Sequence, residues 1–205
     1  MNDKVNKHNL PSPVPLARKK VDARVRKTRD ALGDALVELM QEKPFDSITV
    51  QDVLDRANVG RSTFYSHFSD KDDLQLSDAD EFFEGISTAL SAHGDKSERV
   101  LPVKEFFQHV FEARQFVAAL MSSGKMQENM ELAEAHFARG IEQRLNEIPR
   151  GALIPQADRP FLAVAHAGAV VSLLRWWMDR GMKEPAEEID KLFHRMVWKG
   201  VRELP

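Results

Sequence analysis

The sequence predicts an all-α fold of about nine helices, a three-helix N-terminal part followed by a larger helical body, and three observations carry that prediction. Prolines at 44, 102, 149, 155, 160 and 185 leave long proline-free windows, and proline is excluded from helix interiors. Apolar residues recur at helical spacing inside those windows: Leu32, Leu36, Leu39 and Met40 in the first, and Ile189, Leu192, Phe193, Met196, Val197 and Val201 in the last. No segment alternates apolar and polar residues for long enough to suggest a sheet.

Pro11, Pro13 and Pro15 set among polar residues mark residues 1–18 as an extended basic arm. A first helix is expected from Val21 to Gln41, stopping before Pro44. Thr49 followed by Asp52 has the spacing of a capping box, opening a second helix through Val53, Leu54 and Ala57. Asn58 suits the left-handed position that ends it, because a short amide side chain tolerates positive φ. Gly60 opens a short third helix, Arg61 to about Phe68, and Ser69 caps a long fourth from Lys71 to about Leu90. Two short helices joined by a turn of three to four residues are a helix-turn-helix. Beyond a polar break at 91–99, helices are expected from Pro102, over Arg114–Met121, Met126–Glu147 and Pro160–Arg180, and from Pro185 to Leu204. Gly181 is placed as a C-cap, and Pro185 in a first helical turn. These limits divide the chain into an arm (1–18), a helix-turn-helix domain (19–70) and a body (71–205).

The chain has 205 residues and no cysteine, which excludes a disulfide scaffold, a thiolate nucleophile and Cys-ligated metal. The first twenty residues contain no apolar run of signal-peptide length, so a cytoplasmic location is expected. The apolar stretch Phe161–Leu174 falls short of a bilayer span and reads as a buried helix. Net charge is −3, but it is unevenly distributed. Residues 1–71 hold 13 Lys and Arg against 10 Asp and Glu, and the rest hold 16 against 22. A basic front and an acidic body suggest a polyanion partner for the first and another task for the second. Neither a phosphate-binding glycine loop nor a nucleophile elbow is present, so no enzymatic activity is expected. No cofactor is implied.

The stretch Phe45–Leu74 resembles the DNA-binding domain of the TetR/AcrR family of bacterial transcriptional regulators. The resemblance rests on Thr49, Val50, Ala57, Val59, Thr63, Phe64, Tyr65, His67, Phe68 and Lys71. Two positions depart from it: Asn58 stands where glycine is usual, and Gly60 where a capping serine is usual. Asn58 can keep the turn, whereas Gly60 lacks a hydroxyl for the cap and for a phosphate. A recognition helix offers short polar or basic side chains at its N-terminal end and apolar ones behind. Arg61, Ser62 and Thr63 fit the first role; Val59, Phe64 and Phe68 fit the second. Arg61 can bond guanine bidentately and the Thr63 methyl can meet a thymine methyl. Tyr65, His67, Lys71 and the Thr49 hydroxyl are placed as phosphate contacts. Arg24 and Lys27, with Arg26 and Arg29, can steer the first helix onto the backbone or insert an arm into the minor groove.

The resemblance also implies a homodimer with an effector-binding body. The helix at 160–180 is apolar on nearly every side and so needs two buried faces. Ala163, Ala167, Val170, Val171 and Leu174, with Phe193, Met196 and Val197 of the last helix, are expected to form a four-helix dimer seam. Phe107, Phe111, Met121, Met130, His136, Phe137 and Trp176 are candidate walls for a small hydrophobic effector. Aromatics and methionines at helical spacing also make ordinary cores, and a body that binds a partner protein would look the same. His109 with Glu105 and Glu112 has a metal-ligand spacing that a solvated helix face equally produces. No metal site is expected.

Overall fold

The computed structural model describes residues 23–201, so the arm expected at 1–18 lies outside the described residues. Among the described residues there are nine helices and no strand: α1 (Ala23–Glu42), α2 (Val50–Ala57), α3 (Arg61–Tyr65), α4 (Lys71–Ala92), α5 (Val103–Glu112), α6 (Arg114–Ser122), α7 (Met126–Glu147), α8 (Arg159–Asp179) and α9 (Ala186–Val201). The all-α prediction holds. Three short 3-10 turns, Phe45–Ser47, Pro149–Leu153 and Gln156–Asp158, add to the expected elements. Pro44, Pro149 and Pro155 stand at their entrances, where a fixed φ favours a tight turn.

Two cap assignments shift. α4 is capped by Asp70 rather than Ser69: the Asp70 carboxylate accepts the Asp73 N–H at 2.8 Å, and Asp73 reaches back to the Ser69 N–H at 2.8 Å. Pro185 precedes α9 instead of entering it, and its carbonyl accepts the Glu188 N–H at 2.9 Å. Gly181, at φ 78°, closes α8 as expected. Its N–H reaches the Met178 carbonyl while that of Met182 reaches Trp177, both at 2.9 Å, the paired bonds of a left-handed helix end.

The chain divides into two compact units, one of residues 23–83 and 113–135, the other of 84–112 and 136–201. In the first, α1 presents Leu32, Leu36, Leu39 and Met40 to a core completed by Phe45, Ile48, Val53, Leu54, Phe64, Phe68, Leu74 and Leu120. The spacing is one stripe of an amphipathic helix. Gln75 and Asn129, both buried, pair side chain to side chain at 3.0 Å and tie α4 to α7.

In the second unit aromatic rings make the centre. Phe106 stands 5.0 Å from Phe137, and Phe107 5.0 Å from Trp177, measured between ring centroids. Such pairs add to the large apolar area each ring buries. α7 approaches α4 closely at Gly140, where a Cβ would collide with the Ser87 carbonyl oxygen. Arg144 of α7 is 5% exposed. Its guanidinium donates to the carbonyls of Asp95, Arg99 and Ser97 at 2.6, 3.1 and 2.9 Å, gathering the loop between α4 and α5 around one side chain. The segment Gln156–Asp179 is long and apolar enough to cross a membrane by length and composition, and six residues of α8 are buried in this protein core.

Candidate nucleic-acid interface

The interface begins with the capping box at α2. The Thr49 hydroxyl accepts the Asp52 N–H at 3.1 Å, and the Asp52 carboxylate accepts the Thr49 N–H at 2.7 Å. Lys43 adds an ammonium to the same carboxylate at 2.9 Å. The Lys43 contact first, then the Thr49 donors, hold the Asp52 carboxyl well below its ordinary pKa. The Thr49 hydroxyl is thus already engaged in the cap. Asn58 takes the left-handed conformation, φ 53° and ψ 47°, so the turn keeps the geometry that glycine usually supplies there.

α3 follows from Gly60, which makes no side-chain cap. Phe64 of α3 and Phe68 of the turn after it face inward, 0% and 4% exposed. Arg61, Ser62, Thr63 and Tyr65 are all exposed, and His67 is half-buried. α3 ends at Tyr65, earlier than the expected Phe68, because the N–H groups of His67 and Phe68 both turn back to the Phe64 carbonyl at 2.9 Å. His67 therefore lies on the closing turn. Arg61 donates to Gln51 of α2 at 3.0 Å, and Gln51 donates to Asp55 at 2.7 Å. Sequence reasoning missed Gln51, because an exposed glutamine in a helix carries no signal until its neighbour across the turn is known.

Lys71 sits differently from a free phosphate contact. Its ammonium donates to the carbonyls of Phe45 and Ile48 at 2.7 and 2.9 Å and stands 4.4 Å from the Phe45 ring centroid. It ties the start of α4 to the 3-10 turn before α2. Arg24, Arg26 and Lys27 are exposed on the first turns of α1. Arg29, in contrast, lies 4.8 Å over the Phe68 ring and bonds Ser77 at 2.6 Å, fixing the N-terminal half of α1 against the end of the helix-turn-helix. Gly60 borders open space, with nothing within 4 Å of where a Cβ would stand. Gly60→Ser is expected to raise stability by a few tenths of a kcal/mol through a new N-cap, read as a higher urea midpoint at unchanged slope.

The body residues are placed as follows. Ala163, Ala167, Val170, Val171, Leu174, Phe193 and Val197, assigned to a dimer seam, are buried within the chain's own core; of that set Met196 alone is exposed, at 46%. A side chain closed off in one copy offers no surface to a second. The large apolar residues that α8 and α9 leave outside are Phe161, Val164, Trp176, Leu192 and Met196. Among the candidate effector walls, Phe107, Met130, His136 and Phe137 are buried, while Phe111, Met121 and Trp176 are exposed. Met121 and Met130 belong to the unit of the helix-turn-helix and the other five to the second unit, so these residues do not form one set of walls within either. The His136 Nδ1 lies 3.1 Å from the Glu84 carboxylate. Among the described residues no group of three His, Asp or Glu side chains is arranged to hold a metal.

Comparison with known proteins fits this geometry. Residues 32–77 match the family described as bacterial regulatory proteins, tetR family, and residues 103–199 match the transcriptional regulator C-terminal region. An HTH-type transcriptional regulator of Bacillus subtilis (strain 168), YxbF, is 39% identical over 57 residues, which are 27% of this chain and 15% of that protein. A second, from Haemophilus influenzae, is 43% identical over 56 residues, 27% of each chain. The matched stretch is thus well under two thirds of either relative. Among solved structures, the TetR transcriptional regulator from Streptococcus agalactiae 2603V has 26% identity and a TM-score of 0.58, over 86% of this chain and 96% of that one. A putative TetR-family regulator from Syntrophomonas wolfei, at 15% identity and a TM-score of 0.63 over 88% and 97%, shares the fold. With the helix-turn-helix and the C-terminal region both matched, the chain belongs to the tetR family of bacterial regulatory proteins, a non-enzymatic family of DNA-binding transcriptional regulators.

Proposed function

We propose that this chain acts as a homodimeric, cytoplasmic repressor that reads a pseudo-palindromic operator through α3 and releases it when a small hydrophobic effector binds the body. The observation that carries the DNA reading is the outward row Arg61, Ser62, Thr63 and Tyr65 on a helix anchored from behind by fully buried Phe64. Arg61 reads guanine and the Thr63 methyl reads thymine. Ser62 stands beside them at the base edges, while Tyr65, His67, the backbone of Gly60 and the α2 N-terminus at Thr49 contact phosphates, with Arg24 and Lys27 flanking. Lys71 contributes through its remaining N–H and through its hold on the Phe45–Ile48 turn.

The exposed apolar residues of α8 and α9 support dimerisation. Phe161, Val164, Trp176, Leu192 and Met196 are the large apolar side chains these two helices leave exposed, and a second copy can cover them. Two-fold symmetry in the protein requires two-fold symmetry in the site, with half-sites about one helical turn apart.

A specific observation favours a second reading of the body, in which it engages a partner protein. The Phe106, Phe107, Phe137 and Trp177 rings are already in mutual contact, so a hydrophobic effector has to open this cluster to enter.

Selection of duplexes from a random pool tests the DNA reading. The expected site has a dyad, and a selected site without one removes the dimeric reading. Arg61→Ala is expected to lose about 1–3 kcal/mol of discrimination at one base position per half-site. Equal losses on specific and scrambled duplexes would reduce Arg61 to a phosphate contact. A screen of apolar compounds for operator release decides between effector and partner.

A further inference from the structure

The C-terminal end of α9 borders a cleft of about 420 Å3 in the second unit, lined by Arg99, Arg150, Arg195 and Lys199, with His194, Trp198 and one carboxylate, Glu98. Its charge is opposite to that of residues 72–205, which carry 16 basic against 22 acidic side chains. Within the cleft the cations are in different states. Arg99 is neutralised at the back by Glu105 and by Asp190 at 2.9 Å. The His194 Nε2 accepts the Val100 N–H at 3.1 Å and its Nδ1 faces the Asp190 carbonyl at 2.9 Å, so both ring nitrogens are committed and the ring serves as wall.

Arg150 is held over an aromatic ring. Its guanidinium lies 4.6 Å from the Trp198 ring centroid and bonds the Glu98 carboxylate. Trp198 is 6% exposed, and its indole N–H donates to the Glu98 carbonyl at 3.0 Å. A guanidinium fixed on an aromatic face presents its fork with little left to order, the arrangement suited to a carboxylate or phosphate. Arg195 and Lys199 are exposed and have no partner among the described residues. They stand one turn apart on α9, where like charges repel. The nearby helix C-terminus offsets part of that repulsion, and a bridging anion would remove the rest.

We propose that this cleft binds a small multivalent oxyanion, a compound carrying two or more phosphate or carboxylate charges. One anionic group takes the Arg150 fork in place of the exposed Glu98 carboxylate, and a second bridges Arg195 and Lys199. The need to displace Glu98 selects against monovalent anions. The volume falls within the range of small-molecule sites, roughly 300–1,000 Å3. The site is independent of any effector in the aromatic core.

The test is calorimetry on the full chain with pyrophosphate and citrate, and with acetate as the monovalent probe. Saturable binding of one pyrophosphate or citrate per chain is expected, with none for acetate. The double variant Arg195→Gln, Lys199→Gln is expected to weaken binding by about tenfold or more, as is Arg150→Gln, while Lys183→Gln, outside the cleft, does not. Because Arg195 and Lys199 have no partner among the described residues and repel each other, the double variant should unfold at no lower a temperature than the wild type. Failure to saturate, equal binding of acetate, or unchanged binding in the double variant overturns the proposal. So does a double variant that alters the sedimentation coefficient but not anion binding, since the two cations would then pair with carboxylates of a second copy.

Discussion

Phe64→Ala is expected to destabilise the helix-turn-helix unit by about 3–5 kcal/mol, the range for removing a large buried ring. Phe64 is 0% exposed and stands 5.8 Å from the Phe68 ring. No flexible segment is free to collapse into the space, because α2 and α3 are joined by only three residues and the turn is fixed by Asn58. A small domain has about 5–15 kcal/mol in all, so the variant should populate unfolded α3 measurably at growth temperature and lose operator affinity on every sequence. Phe64→Leu keeps most of the volume and is expected to cost under about 1.5 kcal/mol. Urea unfolding with parallel DNA titrations checks both. Equal midpoints for wild type and Phe64→Ala would show that the ring does not hold α3.

Arg144→Ala is expected to cost about 2–4 kcal/mol, by a different route. Three backbone carbonyls of the 95–99 loop lose a charged donor, and each hydrogen bond to a charged group contributes about 1.5–3 kcal/mol before water replaces part of it. Arg144→Met retains the aliphatic stem and removes only the donors, so the two variants separate packing from bonding. If the donors dominate, Arg144→Met is nearly as unstable as Arg144→Ala, and amides at 95–99 exchange faster in both. A Met variant as stable as wild type would show that the loop stands without the guanidinium.

Arg144 illustrates which parts of the molecule are legible in the sequence. The capping box, the Asn58 turn and the Gly181 helix end depend on neighbours within a few residues, and all three are readable from spacing. A charged residue on a helix reads as solvated, and nothing near Arg144 in sequence announces a loop some 45 positions away that wraps around it. Lys71 reads as a free cation for the same reason, since its carbonyl partners lie 23 and 26 residues earlier. α8 is apolar on nearly every side, so periodicity does not say which side faces in. The small residues Ala163 and Ala167 turn inward, where they let α8 nest against its own core, and Phe161 and Val164 are left outside.

The brevity of α3 reaches beyond DNA contact. Five residues cannot sustain a helix alone, since isolated helices below about 12–15 residues are marginal in water. A synthetic peptide copied from residues 60–68 would be coil, and no shortened mimic should compete for the operator. Within the protein, the N–H groups of Phe64, Ser66 and Phe68 are bonded only as long as the surrounding core persists. Their deuterium uptake should therefore follow the cooperative opening of the whole unit rather than local fraying, which makes these amides a gauge of that unit's folding equilibrium.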